Sequence, residues 1–433
     1  MIEAYRAAAA GLAATRQPAW LPRLREEGMR RFAATGFPTT RDEEWRFTPL
    51  GPLAKAPFAP AGPPASPLTG ADLAPFTFGH PEWPALVFVN GRFAPELSTL
   101  DGLGNGVIVS SLAQTLAHRP QSVEPHLGRH AEPGATPFTA LNAAFIQDGG
   151  FIEIPSGVVL ADPILLVFVA TPDQGGRMIH PRNLVVVGDG ARVSLVESYL
   201  GLDDTAAYFT NAVTEVVAGE GSWVEHLRIQ RESEAAFHIA FSHVRQARES
   251  HYRSFTLAMG AAVCRHNLHT RLSAPETEAL LYGLSIAHGD QVVDNHTAIY
   301  HDQPACRSWE VYKAILDGRA RGVFNGKVFV TPEAQKTDAK QTNRTLLLSE
   351  EARIDTKPQL EIFADDVKCT HGAAVGYLDE LPLFYARSRG IPAERAKHLL
   401  TYAFAAEVLG EIAVEAVRNE LDRVVRERLG VTE

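Results

Sequence analysis

From Ala85 to Gly376 the chain consists of short runs of Val, Ile, Leu, Phe and Thr separated by Gly, Asp, Asn and Pro, with almost no helical periodicity. Such runs read as strands bounded by turns. Examples are Leu86 to Phe93, Ile164 to Ala170, Val193 to Glu197, Trp223 to Ile229, Cys264 to Leu272, Trp309 to Ile315, Val323 to Val330, Asn343 to Leu348 and Leu360 to Phe363. Strands recurring roughly every ten residues can build a sandwich, a barrel or a solenoid. Length decides among them. A sandwich or closed barrel of this size would be unusually large, whereas a parallel β-helix grows coil by coil and buries its interior without closure. Asn267, Asn295, Asn343 and Thr345 lie on the strands, where stacked side-chain ladders can satisfy them. The expected core is a parallel β-helix over residues 85–378, with a degenerate repeat.

The flanks differ in texture. Residues 1–50 are rich in Ala, Arg, Glu and Leu and punctuated by Pro18, Pro22 and Pro38, which suggests short helices separated by turns. In residues 51–84, nine prolines fall in the 33 positions from Pro52 to Pro84. That density blocks helices and central strands and predicts an extended linker. Residues 379–433 read as a helical domain. Ala396, Leu399, Leu400, Ala403 and Phe404 follow the spacing of one buried helix face, and Val414, Val417, Leu421 and Val424 form a second stripe.

Charge and composition exclude several classes. Lys plus Arg number 41 against 51 Asp plus Glu, a net charge of −10, so no positive surplus exists for a broad nucleic-acid surface. A chain that is 45% hydrophobic and 21% charged should fold. The N-terminal run around Glu3, Arg6 and Arg16 is too weakly apolar for a secretory segment, and no stretch approaches ~18 apolar residues, so no membrane association is expected. The three cysteines, Cys264, Cys306 and Cys369, are far apart and lack a Cys-x-x-Cys spacing. A disulfide framework is therefore not expected, and the reducing cytoplasm is the simplest home. Gly326-Lys327 lacks the upstream glycine and the following Ser or Thr of a phosphate loop, and Gly188-Asp189-Gly190 reads as a turn between strands.

What remains is Asp365-Asp366-Val367-Lys368-Cys369-Thr370-His371-Gly372. On a strand, the two-residue period puts Cys369 and His371 on one face, where they could share a soft metal or an iron–sulfur species. Two ligands do not complete a site, because a cluster or tetrahedral ion needs about four. On spacing alone the commoner reading is a buried cysteine beside a hydrogen-bonded histidine near a sheet end. His266 and His269, three apart on an apparent strand, should point to opposite faces, and His296 and His301 should flank a turn-rich segment. Cys264 and Cys306 look like small core residues, and Trp45 like an anchor for the N-terminal helices.

These stretches carry a resemblance: Gly36 to Leu50 (GFPTTRDEEWRFTPL), Ala140 to Gly149, His180 to Tyr199, Gly326 to Gly376, Leu383 to Gly390 and Tyr402 to Glu407. Through them the chain resembles the SufB/SufD family of scaffold proteins of the Suf iron–sulfur cluster assembly system, the D type more than the B type. B-type chains usually carry Glu after the histidine of the equivalent motif and have additional cysteines; here Gly372 follows His371. The resemblance implies a right-handed parallel β-helix between helical ends. It implies a non-catalytic subunit paired with SufB through the β-helix edge and with the ATPase SufC through the C-terminal helices. It also implies that His371 and Cys369 contribute to a nascent iron–sulfur cluster at the SufB interface, with none held by this chain alone. Self-association of the isolated chain is expected because its open edges would be bare. The competing reading is a stand-alone β-helix enzyme acting on a polysaccharide or acyl donor, with Asp294, Asp302 and Asp338 as candidate acids.

Overall fold

Alternation explains the coils. In Arg307–Leu316, Ser308, Glu310 and Tyr312 are buried on one side while Trp309 and Val311 face outward. From Tyr312 onward burial becomes continuous, because the C-terminal helices cover the outer face there. In the computed structural model, which describes residues 2–12, 17–56 and 58–431, such strands stack into a parallel β-solenoid of about 8 turns. Arg16 lies outside the described residues. One sheet stacks Arg182–Val187, Phe209–Ala218, Phe237–Gln246, Val263–Leu272, Val292–His301, Arg321–Val330 and Arg353–Ile362 in parallel register. The facing sheet stacks Arg192–Gly201, Trp223–Arg231, His251–Ala258, Glu278–Ala287, Arg307–Leu316, Asp338–Leu347 and Lys368–Gly376. Strand starts within a sheet are unevenly spaced, so the repeat is degenerate.

The strand-like region also contains helices that its texture did not suggest: Leu112–His118, Pro120–Val123 and Pro137–Ala144. Local chemistry explains them. The Ser111 hydroxyl accepts from the Gln114 amide at 3.2 Å, Thr136 caps Thr139 at 3.0 Å, and Pro137 opens an alanine-rich turn. The last of these helices is buried under Leu21–Thr35. A Cβ at Gly28 would stand 2.6 Å from the Ala140 carbonyl oxygen, so only glycine lets these backbones approach so closely.

The Pro-rich stretch holds short helices at Gly51–Lys55 and Gly70–Leu73 and a two-residue strand, Ala59–Pro60, paired with Arg177–Ile179. Trp45 is buried, with the Arg265 guanidinium 3.7 Å above its ring, and so fixes the N-terminal segment to the solenoid wall.

The C-terminal helices are Glu380–Ser388, Ala393–Leu409 and Glu415–Arg428. Their buried faces are rotated slightly from the expected stripes. Ala396, Thr401, Ala405, Val408 and Leu409 are buried and Ala403 is exposed, while Val425 is buried and Val424 only half so. The helices pack both on the sheet and on one another, and the two contacts together select this face. Lys313 donates to the Phe404 carbonyl at 2.9 Å and pairs with Glu407 at 2.5 Å, and Arg253 pairs with Glu411 at 2.8 Å. Among the described residues no helix is long and apolar enough to cross a membrane.

Candidate functional site

The solenoid ends on Arg353–Ile362 in one sheet and Lys368–Gly376 in the other, and among the described residues each of these has a stacked neighbour on one side only. In the latter, Cys369 stands in register with Ala339 and His371 with Gln341. Ala339 and Gln341 are buried and face inward, so Cys369 and His371 share the inner face at the open end. Cys369 is half-buried against Val328, Val330, Ala334 and Ala364; His371 is exposed. Burial pushes the Cys369 thiol up, backbone hydrogen bonding at Ala339 opposes this and the Asp338 charge adds to it, so the neutral thiol is favoured. Among the described residues no group of three or more His, Cys, Asp or Glu side chains could hold a metal ion.

On either side of this pair the chain exposes apolar side chains. Phe363, Val375, Tyr377, Leu381, Phe384 and Tyr385 are all exposed, and Glu380–Ser388 buries no side chain. Six large exposed apolar groups in so short a stretch form a surface suited to a second protein.

The other candidates do not gather there. His266 faces the interior and lies 3.0 Å from the Ser242 hydroxyl, while His269 faces outward against Phe241 and Tyr300. His296 and His301, expected beside a turn, both lie on the strand Val292–His301. The β-branched residues Val292, Val293, Thr297 and Ile299 favour this extended conformation. His296 contacts Asp294 at 3.1 Å, and His301 contacts Ser308 at 2.9 Å. Cys264 and Cys306 are buried core residues, and all three cysteines are unpaired. Asp294 is buried and pairs with Arg265 at 3.0 Å, whereas Asp302 pairs with Arg271 at 3.4 Å and Asp338 begins a strand of the opposite sheet. These three acids line no common groove.

Sequence reasoning anticipated the buried Asn267, Asn295, Asn343 and Thr345 but missed the ionisable groups of the interior. Glu197 accepts from Tyr199 at 2.6 Å and meets His226 at 3.0 Å, and His226 meets the Tyr252 hydroxyl at 3.0 Å. Burial alone would raise the Glu197 carboxyl, but His226 and Arg228 overcome it and hold it below the usual range. Counting alternate residues along each strand would have placed these groups inside. Outside, a cavity of about 550 Å³ between the N-terminal segment and the sheet is lined by Glu44, Trp45, Arg265, His269, Tyr300 and Lys327, among others.

Comparison with known proteins bears on this geometry. Residues 168–404 match the model of the SUF system FeS cluster assembly SufBD core domain, and residues 1–166 match that of the SufBD protein N-terminal region. The chain is 38% identical over 396 residues to an iron–sulfur cluster assembly SufBD family protein of Synechocystis, covering 90% of this chain and 87% of that one. It is 32% identical over 409 residues to the iron–sulfur cluster assembly protein SufD of Escherichia coli, covering 94% and 91%.

Proposed function

The chain belongs to the SufBD family of iron–sulfur cluster assembly proteins, and on that footing we propose that it is a scaffold subunit working beside a SufB chain and the ATPase SufC. In this reading it is non-catalytic and works in the reducing cytoplasm, and the nascent cluster is cargo. One observation carries the reading: Cys369 and His371 share the inner face of the last strand, at an open end whose chain continues into exposed apolar side chains. A thiol and an imidazole there are an incomplete coordination shell, which a second chain pairing with the bare edge could complete. The imidazole would act as a neutral ligand or proton acceptor and the thiol as a soft ligand that ionises when a cation binds.

The C-terminal helices are the proposed SufC dock. Ion pairs and buried apolar contacts tie them to the solenoid wall, so a force applied to them would reach the open edge through a stiff body. The test is co-expression with SufB and SufC, anaerobic purification and an absorption spectrum. The expected result is a ternary complex carrying a cluster chromophore that His371→Ala removes without dissociating the subunits. Normal cluster yield in that variant would remove His371 from the site.

A further inference from the structure

The inner face of the last coils is polar. Glu310, Tyr312, Gln341, Asn343, Thr345 and Thr297 are all buried there. Gln341 Nε2 donates to Glu310 Oε2 at 2.9 Å, yet among the described residues Gln341 Oε1, Asn343 Oδ1 and Thr345 Oγ1 find no well-formed hydrogen bond, and Glu310 Oε1 and Tyr312 Oη have at best the loose approach of Thr297 and Thr256. Orphaned polar atoms in such number are ordinarily satisfied by internal water. A cavity of about 10 Å³, room for roughly one water, adjoins Tyr312, Asn343, Asn295 and Ser285.

Two inward-facing glycines clear space for this row. A Cβ at Gly326 would lie 1.9 Å from Gln341 Nε2, and one at Gly283 would lie 2.4 Å from the Tyr312 ring. In the stack, Glu310 is in register with Gln341, and Gln341 with His371. Around the Glu310 carboxyl, Tyr312 is the titratable neighbour on its own strand, Leu281 and Gln341 flank it in the sheet, and the Thr297 hydroxyl faces it from the opposite sheet. Burial pushes this carboxyl up to about 7, with Thr297 and Gln341 opposing, so it can hold and release a proton near neutrality.

We propose that the inner face of the last coils is a water-bridged polar column linking the buried carboxyl of Glu310, past Gln341, to His371 at the open end, an internal route for protons. A proton leaving the carboxyl passes to the first water as an equivalent proton is delivered at the far end; only O–H and N–H bonds change, and nothing is oxidised or reduced. Its use in cluster building rests on the function proposed above, but the column itself is a property of the metal-free chain.

The test is therefore made on the full-length, metal-free protein by infrared spectroscopy. At pH 6 the difference between wild type and Glu310→Gln should contain one protonated-carboxyl band, separating Glu310 from Asp148, Glu225 and Asp302, whose carboxyls burial also raises. Transfer to D2O should shift that band far faster than global unfolding. Gly326→Ala, which crowds the Gln341 amide, should slow the shift at least tenfold; if that variant does not fold, Gln341→Leu serves in its place. Absence of the band, exchange only at the unfolding rate, or equally fast exchange in the folded variant would each overturn the proposal. No arm contains metal, so the outcome is separate from that of His371→Ala in the assembled complex.

Discussion

Trp45 shows how one side chain can hold a segment to a preformed wall. Its ring lies under the Arg265 guanidinium, which also pairs with Asp294 and donates to the Glu44 carbonyl at 2.5 Å. Trp45→Ala leaves a void and removes the cation's aromatic cover, so a loss of about 3–5 kcal/mol is expected in denaturant unfolding. Arg265→Lys keeps the charge but loses the planar fork, and should be destabilising as well. Cys369 behaves differently from the two core cysteines because it is only half covered. It remains partly open to solvent while they are buried.

At the scale of elements, the helix Glu380–Ser388 and the last strand carry the free surface, and the helix pair formed by Leu21–Thr35 and Pro137–Ala144 carries the tightest backbone contact. Leu381→Asp with Phe384→Asp should weaken self-association, or association with a SufB chain, at least tenfold by light scattering. Because both side chains are exposed, the melting temperature should stay within about 2 °C. A fall in melting temperature instead would mean that this helix is packed. Gly28→Ala forces a methyl onto the Ala140 carbonyl and should cost about 1–3 kcal/mol by the same unfolding measurement.

For the whole molecule, the buried histidines should lower stability on mild acidification, opposed by Glu310, whose raised carboxyl takes up its proton first in the folded chain. Burial lowers His180 to about 3 and His301 to about 4 in the folded chain, whereas an unfolded histidine titrates near ~6.5. Between those values the unfolded chain binds protons that the folded chain does not. Stability therefore rises with pH across that window and is lost as pH falls from ~6.5 toward 4, by on the order of 1 kcal/mol per pH unit per histidine. Above ~7 these residues contribute no slope. His301→Gln should flatten the profile, and a profile unchanged by that substitution would mean that His301 is already charged in the fold.

The stacked-strand core, the helical ends and the pairing of Cys369 with His371 on one face were all legible in the residues, since each follows from a local period of two or of about 3.6. The helix Pro137–Ala144 was visible only through its Thr136 cap and alanines, and was masked by the strands around it. The extended conformation of His296 and His301 was hidden by neighbouring Asn and Asp. Register between coils has no local signature. It sets Glu310 under Gln341 and Gln341 under His371, and it opens Gly326 toward the amide it must clear. Alternation along one strand thus determined which side chains face inward, and only the stacking of distant coils decided which of them meet, because those contacts join residues about thirty apart whose alignment depends on every turn between them.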